Sequence, residues 1–332
     1  MLLRYLKKIF YNSVAELRIF CLAFTTIAAW AQSNKFSNSI FRFATRAEGQ
    51  MLITELDDYT RNWNQFDIDI RLQKPQGRKS QLLQFAMEQT LNWSDTEKER
   101  ISKAMKSLDA EIKKQSYNLD FPKEIIFVKT TQKEEGNAEA YTRVNWIAIG
   151  EHALKEASDA DLKYLVAHEL FHLLTRQNSN FKKDIYKVIG FTVIEKEIIF
   201  PSDLAEIRIS NPDISRYDSY GTFTIGGQKQ YCTMVIYTDR PYDGKTLFDY
   251  LKVGLVPLNG DFVPIQKAGK TIIYALDEAE DFYTQVGKNT NYLIHPEEIM
   301  ADNFAFTLTG KKDLANPEII QNIQKVLKAK NR

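Results

Sequence analysis

Residues 165–172 read Leu165-Val166-Ala167-His168-Glu169-Leu170-Phe171-His172. A polar triplet sits inside an otherwise apolar run, in a chain with only four histidines: His152, His168, His172 and His295. Upstream, Ser158 followed by Asp161 has the form of a capping box, so a helix is expected to begin near Asp159. Leu162, Val166, Leu170, Leu173 and Leu174 give that helix an apolar face, while His168, Glu169 and His172 share another. Residues four apart on a helix stand one above the other, so His168 and His172 can direct both imidazoles at one Zn²⁺. Glu169 then lies close enough to handle a water on that metal. Two solvated or core-satisfied histidines are the bland alternative. Imidazoles and a carboxylate in apolar surroundings need a partner, and a metal is the simplest one.

Two histidines leave zinc short of ligands, since a catalytic site has three plus water. A metzincin extension would require glycine at 175 and histidine at 178, but the chain has Thr175 and Asn178. Oxygen donors occur far downstream, in His295-Pro296-Glu297-Glu298-Ile299-Met300-Ala301-Asp302. Pro296 suits a first helical turn, which makes His295 the expected cap. Glu298 and Asp302 fall on one helical face. One carboxylate can bind metal, and the other can accept the second ring N–H of a ligating histidine.

With these residues the chain resembles the gluzincins, thermolysin-like zinc metallopeptidases that carry His-Glu-x-x-His on one helix and Glu-x-x-x-Asp on a later one. The form Glu-x-x-Ala-Asp, with Phe304 and Ala305 following, looks more like the compact minigluzincin branch. The resemblance spans residues 125–175 and 292–310. It implies zinc, one per chain, held by His168, His172 and Glu298, with Glu169 as the general base and Asp302 bound to a ligating histidine. Glu297 competes with Glu298 for the ligand role, but Ala301 stands four residues after it. The gap between His172 and Glu298 is longer than is usual in that family, and Asp218 is a fallback ligand. Candidate donors to an oxyanion are His295, Tyr217 and Tyr220, with His152 and Tyr292 beside them.

The expected fold class is α+β: a zincin-like catalytic domain, its small sheet packed on the His168 helix, with a helical N-terminal region and a β-rich insertion. Residues 1–31 read as a signal peptide. Arg4, Lys7, Lys8 and Arg18 precede an uncharged run from Ile19 to Ala31, too short to span a bilayer comfortably, and Ala29-Trp30-Ala31 fits a cleavage site. The expected destination is therefore the periplasm or the exterior, without stable membrane association once the leader is cleaved. Residues 32–120 read as mostly helical, with helices from Gln81 to Leu91 and, behind the cap Ser94, from Asp95 to Lys114. Residues 121–200 form the first part of the core, with strands at Ile125–Val128 and Tyr141–Ile149. Asn137 to Trp146 is, by resemblance, an exposed edge that would pair with an extended peptide.

Residues 201–290 form the β-rich insertion, in which Asn211-Pro212-Asp213 marks a turn and Asn259-Gly260 a hairpin between Val253–Leu258 and Phe262–Ile265. Pro257 and Pro264 push those strands towards a sheet edge. Asp277 to Tyr283 is expected to return to helix. Residues 291–332 complete the core. Of the two cysteines, Cys21 leaves with the leader and Cys232 shares a strand face with Met234 and Ile236 as a buried thiol. The formal net charge is +1, and the leader holds more positive than negative groups, so the remainder is mildly acidic and nucleic acid is not an expected partner. The expected partner is a peptide or protein substrate. Two other classes fit the same motif: a zinc amidase acting on cell-wall or other non-protein amides, and a binding protein that keeps the fold without turnover.

Overall fold

The computed structural model describes residues 35–329, so the expected leader and its cleavage site lie outside the described residues. The described residues form two larger sheets and a two-stranded one (Gln266–Lys267 with Lys270–Thr271), and mix α and β throughout. The first contains β1 (Lys35–Phe36), β2 (Ser39–Phe43), β3 (Thr90–Leu91), β4 (Glu124–Thr130), β5 (Ala140–Arg143) and β6 (Trp146–Gly150). They lie in the order β1-β2-β4-β6-β5, with β3 pairing β4 beyond the end of β2. β2, β4 and β6 run parallel, and β5 returns antiparallel to β6 at the edge.

Both faces of this sheet are covered. Ile125, Phe127, Ile147 and Ile149 point into a core shared with Val166, Leu170 and the helix Asp95–Gln115. Ile126, Val128, Trp146 and Ala148 point the other way, against Ala44, Ile53 and Ala86 of the N-terminal region. Alternation along a strand sends neighbours to opposite sides, so strands buried on both faces read as continuous apolar runs.

The expected helix Asp95–Lys114 is observed as Asp95–Gln115, closed at its start by the reciprocal bonds of Ser94 and Glu97. The helix expected from Gln81 to Leu91 instead runs Lys79–Glu88, after which Thr90 and Leu91 enter the sheet. The N-terminal region is thus not helical alone, because β1, β2 and β3 join the strands of the later core. Tyr141 to Ile149 is also not one strand. It folds back at Val144-Asn145, pairing Arg143 with Trp146. Val144 takes φ 45, a left-handed conformation unusual for a β-branched residue, so the turn carries no composition signal.

The second sheet runs β10-β9-β8-β7, from β7 (Phe191–Val193), β8 (Ser219–Ile225), β9 (Gln228–Tyr237) and β10 (Lys252–Leu258). Cys232 and Met234 face the main core, whereas Val235 and Val256 face a second core with Phe66, Ile70 and Leu204. Val253–Leu258 pairs with β9, not chiefly with 262–265. Past Asn259-Gly260 only isolated bridges return, Leu258 to Pro264 and Leu255 to Tyr274, and Pro257 does lie on an edge strand. Asp277 to Tyr283 gives one turn at Leu276–Glu278 and the start of the helix Phe282–Val286. Cys232 is wholly buried, and burial pushes its thiol up to about 12. No helix among the described residues is long and apolar enough to cross a membrane.

Two helices meet in the main core. The first spans Asp159–Gln177: Ser158 accepts the Asp161 N–H at 3.2 Å, and Asp159 and Asp161 favour the positive end of the helix. The second spans Pro296–Thr309, with His295 as cap and Gly310 ending it at φ 69, where a side chain would be strained. That helix is buried from Pro296 through Leu308, which accounts for its lack of a one-sided apolar stripe.

Phe41 is 1% exposed and meets Phe127 edge-to-face across β2 and β4. Phe41→Ala should lower unfolding free energy by about 3–5 kcal/mol in denaturant titration. A loss below about 1 kcal/mol would show that β2 is not integral to the sheet.

Candidate metal centre

The Asp159–Gln177 and Pro296–Thr309 helices bring His168, Glu169, His172, Glu297, Glu298 and Asp302 into one buried group. Each histidine is fixed from behind by a carboxylate. His168 Nδ1 lies 2.9 Å from Asp302 Oδ1, and His172 Nδ1 lies 3.0 Å from Glu297 Oε1. Those carboxylates are held in turn. Tyr164 donates to Asp302 Oδ1 at 2.5 Å and Thr290 donates to Oδ2, while Thr175 donates to Glu297 Oε1 at 2.5 Å and Tyr186 to its other oxygen. Such outer partners select the tautomer with a proton on Nδ1 and turn Nε2 inward.

The two Nε2 atoms converge on one oxygen. Glu298 Oε2 lies 3.1 Å from His168 Nε2 and 3.8 Å from His172 Nε2. A shared proton can link the first pair. It cannot link the second, which is beyond hydrogen-bond range, and His172 Nε2 has no hydrogen-bond partner among the described residues although its side chain is completely buried. Ligands about 2.0 Å from one tetrahedral zinc stand roughly 3.3 Å apart, so both separations suit donors to a common ion. His168, Glu169 and His172 form one donor set within 4.8 Å, and His172, Asp213 and Glu298 form another. Each set suits a divalent metal in spacing and donor type, and the orphaned nitrogen of His172 is common to both.

Electrostatics follow from crowding. Burial opposes charge on His168, but Asp302 and Glu298 outweigh it and hold the imidazole well above its usual range. Burial raises Glu169, partly offset by the two imidazoles and by the Thr142 hydroxyl, which donates to Glu169 Oε2 at 2.6 Å. Burial likewise raises Asp213 well above the carboxylate range. Burial acts against ionised Glu297 too, yet its bond from His172, with Lys182 and Thr175 nearby, brings it down to about 2.

The other expected residues lie elsewhere. Asp218 is paired with Lys182 at 2.6 Å, which accounts for its carboxylate. Glu297 faces the rear nitrogen of His172, so its place is behind the imidazole. His295 Nδ1 accepts the Glu297 N–H at 3.2 Å as a helix cap, and its ring packs on Tyr217. Tyr217 belongs to the second core, while Tyr220 packs against Tyr231 and Phe262. His152 is exposed on the short helix Glu151–Glu156. Tyr292 does lie near the group: it borders a cavity with Asp213 while its side chain remains 40% exposed.

Three members of the site carry no motif: Thr142 on β5, Asn211, which donates to Glu298 Oε1 at 3.0 Å, and Asp213. Asn211-Pro212-Asp213 signals a turn but not where the turn is placed. No protein-family model, curated protein or solved structure matches this chain.

His295 supplies a pH test. Burial lowers its pKa to about 3 from 6.5, so the unfolded chain takes the proton first. Its contribution to stability is complete above pH 6.5 and is lost as pH falls towards 3. In chelator, His295→Asn should flatten the decline of unfolding free energy across that window by up to about 1.4 kcal/mol per pH unit. Parallel curves for the two proteins would contradict a neutral buried His295.

Proposed function

We propose that the chain is a zinc metallopeptidase with a zincin-like arrangement of the gluzincin type, in which His168, His172 and Glu298 hold one ion. The observation that carries this is the convergence of two imidazole nitrogens on Glu298 Oε2, at 3.1 and 3.8 Å, with one buried nitrogen otherwise unpartnered among the described residues. When bound, zinc supplies a water of lowered pKa and a Lewis acid for the scissile carbonyl.

Every other part belongs to the protein. Glu298 and the imidazoles offer lone pairs, and Asp302 and Glu297 keep the rings oriented. Glu169 is the general base: it takes the proton of the attacking water and passes it to the leaving nitrogen. Thr142 holds its carboxylate, and burial raises its pKa towards the value that suits both transfers. Tyr292 is the favoured donor to the developing oxyanion, since its phenol borders the cavity beside Asp213. Peptide is the favoured substrate because β5 is an edge strand beside the base, where backbone groups can pair with an extended chain. Export is proposed with it, on the leader alone.

Glu169→Gln should bind zinc as the wild type does and lose about 10²- to 10⁴-fold in peptide cleavage. Full activity in that variant would remove Glu169 from the base role. Glu298→Ala should weaken zinc binding by more than the roughly 10- to 100-fold typical of losing an outer partner. Unchanged metal content after dialysis would place the third ligand elsewhere.

A further inference from the structure

Loop 210–214 crosses the mouth of this site and is tied down on every side. Ser210 donates its N–H and its hydroxyl to Asp67, at 2.8 and 2.7 Å. Arg71, itself bound to Asp67 and Glu135, donates to the Ser210 carbonyl at 2.6 Å. Arg176, from the helix that carries His168, donates to the Pro212 carbonyl at 2.5 Å. Asn211 accepts the Asp213 N–H and donates to Glu298 Oε1, leaving Oε2 to face the imidazoles.

At the centre of the loop is Asp213, 9% exposed. Its Oδ1 accepts the Thr142 N–H at 2.7 Å, on the β5 edge where a substrate backbone would bind. The same oxygen lies 3.9 Å from the unpartnered Nε2 of His172. Asp213 therefore stands at ligand distance from His172 and Glu298 and also takes an edge hydrogen bond that a peptide would need.

Resting on the peptidase assignment, we infer that Asp213 is a fourth protein ligand of the same ion and that loop 210–214 occupies the substrate position, so the described conformation is latent. Four protein ligands close a zinc site, whereas catalysis requires one position open to water. Activation then requires Asp213 to withdraw. The Asp67–Arg71 pair on the helix Gln65–Leu72 holds the loop in place, which gives the N-terminal region a regulatory task.

The test uses the full chain as wild type, Asp213→Ala and Asp213→Asn. The asparagine variant keeps the shape and an acceptor for Thr142 N–H, and reports if the alanine variant does not fold. Zinc affinity is measured by competition with a chromophoric chelator, and cleavage of a peptide library at saturating zinc. We expect at least tenfold weaker zinc binding in both variants and cleavage raised several-fold over wild type. Unchanged zinc affinity would overturn Asp213 as a ligand. Weaker binding with equal or lower cleavage, in an active wild type, would overturn latency. Weaker binding with no cleavage by any variant would sustain the fourth ligand and overturn the peptidase assignment instead.

Discussion

The structure depends on one buried polar junction between two helices that are remote in sequence. Two imidazoles and the Glu298 carboxylate meet in a buried space, at separations that a single proton cannot serve. Groups of this kind are costly to bury unless something compensates them. Behind each ring a second carboxylate completes the arrangement, so the site is a pair of matched acid–imidazole units facing a common centre. The apolar packing of the two helices, through Phe171, Phe304 and their neighbours, holds these units in register.

Everything else positions that junction or covers it. The main sheet backs the Asp159–Gln177 helix on one side and places β5 beside Glu169 on the other. The N-terminal region does two jobs: three of its strands extend the sheet, and its helix Gln65–Leu72 fixes loop 210–214 through Asp67 and Arg71. Those two side chains, with Glu135, form a buried charged network. Such networks are weak evidence for stability but good devices for fixing one conformation. Here the conformation fixed is the one in which Asp213 reaches the two imidazoles' side of the site.

The parts legible in the sequence were those with local causes. Ser158, Ser94 and His295 stand at helix starts because their caps are made within three residues. The juxtaposition of His168 with His172 follows from helical spacing alone. Glu298 and Asp302 share one helical face by their spacing of four. Other features have non-local causes. Val144 turns the chain although its side chain disfavours the turn, because the pairing of β5 with β6 prevails. Thr90 and Leu91 enter the sheet because β4 is there to receive them. Asp213 reaches the site only because a loop is anchored from both ends, and no spacing rule encodes that. Glu297 and Glu298 are adjacent carboxylates, and their division between the rear and the front of His172 is set by helix rotation in the packed core.

The central claim is that one divalent ion bridges the two helices. X-ray absorption at the zinc edge, on the full chain loaded with one equivalent and dialysed, tests it most directly. The account predicts one retained zinc with a nitrogen and oxygen shell near 2.0–2.1 Å, including two imidazoles. Loss of the metal on dialysis, or a shell without imidazole, would contradict it.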